Sequence, residues 1–152
     1  MRAPYQVLVI PFLKKDNDYS FAIFSRADMD CFQWIAGGGE DFDASILDAA
    51  KRECLEEAGI SDKHDFLRLD TVTSIPVSIF GEFPWGDHVY VIPEYAFGVE
   101  LKDENLFLSK EHKSYKWVSY QEAIDLLKYD SNRTALWELM TRVSKNKEHN
   151  DE

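Results

Sequence analysis

With 152 residues, 45% of them hydrophobic and 30% charged, the chain is long enough for one domain with a substantial core and too apolar for global disorder. A net charge of −11 argues against duplex nucleic acid as a partner, yet leaves a polyphosphate open where divalent cations bridge the like charges. Apolar runs such as 7–13 are too short to span a bilayer, the N-terminus lacks the apolar core of a secretory leader, and Cys31 and Cys54 lack paired-ligand spacing, so no membrane partner and a reducing, cytoplasmic location are expected.

In chain order, Tyr5–Leu13 and Tyr19–Ser25 read as strands joined by the polar turn Lys14–Asp18, a hairpin by composition. Trp34–Glu40 contains Gly37, Gly38 and Gly39 and is expected to be a tight loop with unusual backbone angles. Ser45–Ala58 is next, as a helix: Ile46, Leu47, Ala50, Cys54 and Leu55 recur at helical spacing, and Gly59 stands where a left-handed cap ends it. Phe66–Ile75, His88–Val99 and Tyr115–Val118 read as strands, with Pro76–Asp87 as a long loop between the first two. Tyr120–Lys128 and Asn132–Val143 read as amphipathic helices capped by Ser119 and Ser131, with Trp117, Leu126, Leu127, Leu136, Trp137 and Leu139 as core. A single domain over 1–147 with a solvated tail at 148–152 is the expected organisation. The order of elements fits a mixed sheet covered by helices.

Chemistry concentrates in one segment. Glu53, Glu56 and Glu57 stand at i, i+3 and i+4, so a helix puts their carboxylates on one face. Two such charges about 5 Å apart repel by roughly 3 kcal/mol at an effective dielectric of about 20. Magnesium or manganese would remove that conflict, bridge substrate phosphates and acidify an attacking water. Arg52 is placed to orient a carboxylate, and the Gly38 carbonyl can reach a metal with no side chain in the way. A solvated glutamate-rich helix face is the ordinary alternative, but the full Arg-Glu-x-x-Glu-Glu-x-Gly string has a chance occurrence on the order of one in a million per window.

From Gly38 to Ile60 the chain resembles the Nudix box, Gly-x5-Glu-x7-Arg-Glu-hydrophobic-x-Glu-Glu-x-Gly-hydrophobic. The resemblance implies an α/β/α sandwich with a mixed β-sheet, magnesium dependence, and hydrolysis of a nucleoside diphosphate linked to another group. It makes Glu53, Glu56 and Glu57 metal ligands, Glu53 the favoured general base, Arg52 the orienting residue and Gly38 a backbone ligand. The box glutamate is replaced by Ala44, with Asp43 beside it, so either Asp43 substitutes or that carboxylate is lost.

Val7–Ile10, Phe24–Arg26, Lys110–Val118 and Ser131–Arg133 are similar to the bacterial dihydroneopterin triphosphate (or dATP) pyrophosphohydrolases. That resemblance adds Glu111 as an extra metal ligand or base from outside the box, and His112 beside it reads as structural. Arg26 is a candidate for substrate phosphate, and Trp34, Phe80 and Trp85 for stacking on a purine or pterin ring; a strand-end arginine and ordinary core aromatics are the alternatives. The expected activity is release of pyrophosphate from a nucleotide or pterin triphosphate; the sequence leaves the oligomeric state open, a homodimer being one option because the family often dimerises. Rival readings keep the fold for ADP-ribose, dinucleoside polyphosphates or other nucleoside diphosphate derivatives, or make it a non-catalytic nucleotide-binding domain.

Overall fold

The computed structural model describes residues 1–150 except Met29 and Glu111; the side chains of Lys113 and of residues 146–150 also lie outside the description. The chain forms a mixed sheet, β1 (Arg2–Lys15), β2 (Asp18–Arg26), β3 (Phe32–Gln33), β4 (Ile35–Glu40), β5 (Asp65–Pro76), β6 (Val91–Glu100) and β7 (His112–Val118), with helices α1 (Ile46–Ala58), α2 (Tyr120–Leu126) and α3 (Asp130–Asn150). The main path runs β3-β2-β1-β6-β5, with β4 paired to β1 and β7 to β2. β1 and β6 are parallel, Gln6 opposite Glu94 and Phe12 opposite Glu100, and the other pairings are antiparallel.

Side chains alternate across a strand, so β1 serves two cores. Leu8, Ile10 and Phe12 pack with Ala135, Leu136 and Leu139 of α3, whereas Val7 and Val9 pack with Ala49, Ala50 and Cys54 of α1. Burial on both faces is why β1 reads as a nearly unbroken apolar run. The expected sandwich with a mixed sheet is therefore present. No helix among the described residues is long and apolar enough to cross a membrane.

Several local readings are corrected by tertiary packing. The 37–39 glycines lie within strand β4, with Gly38 paired to Gln6 and Gly37 to Val7, not in a loop of unusual angles. β6 begins at Val91, short of the expected His88, and β7 starts earlier than expected, at His112. Asp130 already belongs to α3, so Ser131 sits inside the helix and does not precede it. That helix passes the expected end at Val143 and runs to Asn150; of the expected tail at 148–152, the last two residues and the remaining side chains lie outside the described residues. Trp137, expected in the core, is 59% exposed.

Other local signals have their expected geometry. Asp16 and Asn17 take left-handed backbone angles, φ 53° and 68°, as the two-residue hairpin between β1 and β2 requires. Gly59 ends α1 at φ 67°, its N–H donating to the carbonyls of Cys54 and Leu55. Ser119 and Glu122 form a reciprocal capping box at the start of α2.

Candidate active site

Helix α1 starts where the Ser45 hydroxyl accepts from the Asp48 N–H at 3.1 Å. Its buried positions are Ala49, Ala50, Glu53, Cys54, Glu57 and Ala58, while Leu47 and Leu55 face outward at 37% and 58% exposure. Two glutamates thus occupy inward positions and two leucines outward ones, a reversal that hydrophobic periodicity does not anticipate. Small side chains let the helix lie close against β4. The contact is tight enough that a Cβ at Gly37 would come 2.2 Å from the Glu53 carboxyl carbon, which explains a residue without one at this position.

Arg52 ties the segment together. Its Nε donates to Asp43 Oδ1 at 3.0 Å, and its Nη2 donates to Asp43 Oδ2 and to the Gly38 carbonyl, both at 2.9 Å. Its Nη1 donates to Glu53 Oε1 at 3.1 Å and to Glu56 Oε2 at 3.2 Å. The hydrogen bond from Arg52 holds Asp43 below the usual carboxylate range, against the effect of its burial. For Glu53 the balance is reversed: burial first, and the neighbouring Glu57 charge next, push it up to about 8 in spite of Arg52.

Glu57 is held from β7, on the sheet face that α1 covers. His112 Nε2 lies 2.9 Å from Glu57 Oε2, both side chains nearly inaccessible. A carboxylate only accepts, so Nε2 carries the proton in this pair, and His112 Nδ1 is buried without a hydrogen-bond partner among the described residues. The segment before β7 closes the end of α1, Phe107 N–H donating to the Ala58 carbonyl and Ser109 N–H to that of Glu57. The glutamates open onto a cavity of about 820 Å³, whose lining also includes Arg26 and Lys110, and Gln6 and Glu94 from β1 and β6.

A NUDIX domain model matches residues 6–140. The chain belongs to the NUDIX family. It is 30% identical over 107 residues to Nudix hydrolase 13, mitochondrial, of Arabidopsis thaliana; the match covers 68% of this chain and 51% of that protein, so the chain spans about half the length of that relative. Among solved structures, a NUDIX hydrolase from Listeria monocytogenes is 44% identical with a TM-score of 0.85, the match covering 95% of this chain and 97% of that one. The dihydroneopterin triphosphate pyrophosphohydrolase of E. coli shares the fold at TM-score 0.76 and 22% identity, over 93% of this chain and 97% of that one.

Within this NUDIX domain, Arg52, Glu53, Glu56, Glu57 and Gly38 are brought together as the box spacing expects. The carboxylates of Glu53, Glu56 and Glu57 and the Gly38 carbonyl are an oxygen-only, crowded donor set that fits a divalent cation, and burial together with the Glu57 charge raises the proton affinity of Glu53. Among the described residues no three His, Cys, Asp or Glu side chains converge on one point; Arg52 engages the carboxylates of Asp43, Glu53 and Glu56, and His112 that of Glu57. NUDIX enzymes generally use divalent metal ions, and Glu53, Glu56 and Glu57 are the residues that would hold one here. Glu111 lies outside the described residues.

The remaining candidates separate clearly. Arg26 lines the cavity and makes a two-pronged pair with Asp28, at 2.7 and 2.9 Å. Trp34 is inaccessible: it packs edge-on against Phe21 in the core, and its indole N–H donates to the Asn132 carbonyl, so it has no face left for a ligand. Phe80 lines the cavity, with the Arg2 guanidinium 4.4 Å from its ring centre. Trp85 stands behind it, edge-on at 5.4 Å, and donates to the Arg2 carbonyl. Sequence reasoning missed Gln6 and Glu94, and treated His112 as structural. No local signal marks the contacts that matter, since Gln6 meets Glu94 across 88 residues and His112 meets Glu57 across 55.

Proposed function

We propose that the protein is a metal-dependent pyrophosphohydrolase of nucleoside-triphosphate-like substrates, dihydroneopterin triphosphate or a dNTP, releasing pyrophosphate. The observation that carries this reading is the run of Glu53, Glu56 and Glu57 along one wall of a cavity of about 820 Å³, a size suited to a small-molecule ligand. A divalent cation held by these carboxylates, magnesium or manganese, would neutralise phosphate charge and acidify water.

Arg52 keeps Glu53 and Glu56 oriented, and Arg26 and Lys110 supply positive charge at the cavity wall for the phosphate chain. Glu53, at the cavity wall and oriented by the Arg52 hydrogen bond, is the favoured proton acceptor. Water adds to one phosphorus, the bond between the α and β phosphoryl groups breaks, and a monophosphate leaves with pyrophosphate.

The test is turnover of dihydroneopterin triphosphate and dNTPs, read as pyrophosphate, and of ADP-ribose and diadenosine polyphosphates, read as adenine nucleotide, with magnesium, manganese or chelator. Cation-dependent release from a triphosphate is expected, and Glu53→Gln should lower kcat at least a hundredfold, the scale of losing a positioned general base (~10²–10⁴). Turnover confined to ADP-ribose or a dinucleotide would overturn the substrate assignment, and near-normal turnover by Glu53→Gln would overturn the site.

A further inference from the structure

At the β1–β6 pairing, Gln6 and Glu94 lie side by side and both line the cavity. By alternation they point to the sheet face that carries Leu8 and Ala96, where a strand normally places apolar side chains. Glu94 is only 6% exposed, and among the described residues its hydrogen bond is the one from Gln6 Nε2 to Oε2, at 3.1 Å. The Gln6 amide cannot turn over freely, since its Oε1 accepts from Arg2 Nη2 at 2.7 Å. Arg2, Gln6 and Glu94 therefore form a directed relay that ends on a carboxyl with acceptor capacity to spare. Gly38 is the other neighbour of Gln6, so Glu94 stands two strand spacings, about 10 Å, from the strand that backs the catalytic glutamates.

We propose that Gln6 and Glu94 form the ring-reading end of the cavity, with the Glu94 carboxylate accepting the two adjacent N–H donors of a 2-amino-4-oxopyrimidine edge, the edge shared by guanine and pterin. The proposal rests on the hydrolytic function proposed for this site and names its substrate class. Burial of an under-partnered carboxyl is unfavourable, and burial does raise Glu94's affinity for a proton; a ligand supplying two donors relieves that cost. A carboxylate offers acceptors only. It thus matches neighbouring donors, whereas adenine and cytosine place an acceptor beside their amino group and suit an amide. Ile79 and Phe80 give the same cavity an apolar wall for the ring.

The experiment compares kcat/KM for dGTP, neopterin triphosphate, dITP (dGTP without its 2-amino group) and dATP in the wild type and in Glu94→Gln. The better of dGTP and neopterin triphosphate is expected to exceed both dITP and dATP by about ten- to a hundredfold. Whichever of the two is better identifies the ring as guanine or pterin. In Glu94→Gln the advantage should shrink to within about threefold, because an amide turns one acceptor into a donor. A wild type that treats dITP or dATP as well as the better of the two overturns the proposal, and needs no variant to do so. Binding of the α,β-methylene analogues of the same compounds with magnesium separates the two claims. Selective binding without turnover sinks the hydrolytic reading and keeps this one, while unselective binding sinks this one alone.

Discussion

Asp43 shows how a single side chain resolves an ambiguity in the box. With Ala44 in the glutamate position, the sequence left open whether any carboxylate meets Arg52. Asp43 does, through both oxygens, while its Oδ2 also accepts from the Glu40 N–H at 2.8 Å and its side chain is 4% exposed. Asp43→Ala should therefore cost about 2–3 kcal/mol in urea denaturation, the scale of a hydrogen bond to a charged group, and also reduce activity by releasing Arg52 from its anchor. Ala44 is exposed and Asp43 already engages Arg52, so Ala44→Glu is expected to leave kcat/KM within about twofold. A large gain from Ala44→Glu would show that Asp43 is an inadequate substitute.

Between elements, the least anticipated contact is Glu138 of α3 against β5. The pairing of β5 with β6 shifts register between Arg68 and Val72, leaving N–H groups of the strand without their ladder partners. Glu138 accepts from the N–H groups of Asp70 and Thr71 and from the Thr71 hydroxyl, at 2.6 to 2.8 Å, and Arg142 Nε donates to it at 2.7 Å. Burial alone would raise its affinity for a proton, but these donors outweigh it and hold Glu138 below its ordinary range. Asp43 is depressed as well. For both groups the unfolded chain binds protons more readily, so their stabilisation is complete above the ordinary carboxylate values and is lost as pH falls through the folded ones. Glu138→Ala should cost about 2 kcal/mol at neutral pH. Its urea midpoint should also fall less steeply than the wild type's below about pH 4; a parallel acid limb would refute this role. The pattern of α3 announced a helix, but nothing local announced this contact, since the partners are 68 and 67 residues apart.

Across the whole molecule, a net charge of −11 and crowded glutamates make the cation-free protein electrostatically frustrated. Glu53 is raised to about 8, so its contribution to stability is intact below the unfolded value, near 4.3, and erodes as pH rises toward 8. A divalent cation should reverse that erosion. Magnesium or manganese is expected to raise Tm, by the equivalent of about 2.7 kcal/mol at a hundred times Kd, and by more at pH 8 than at pH 5. Glu53→Gln should remove most of that gain while raising Tm in chelator, because the buried charge and its repulsion from Glu57 are gone. An equal cation response in wild type and variant would place the cation elsewhere.

Features that depend on near neighbours are legible in the amino-acid order. A helical repeat puts Glu53, Glu56 and Glu57 together, Gly59 can take the left-handed angle that stops α1, and Ser119 and Glu122 cap the helix that begins between them. Tertiary structure alone decided that the 37–39 glycines form a strand pressed against Glu53, Arg2 and Tyr5, that Trp34 is core while Phe80 faces the cavity, and that Glu94 meets Gln6 across 88 residues. Backbone preference and periodicity act over a few residues, whereas close approach, burial and charge pairing are fixed only when distant strands come into register.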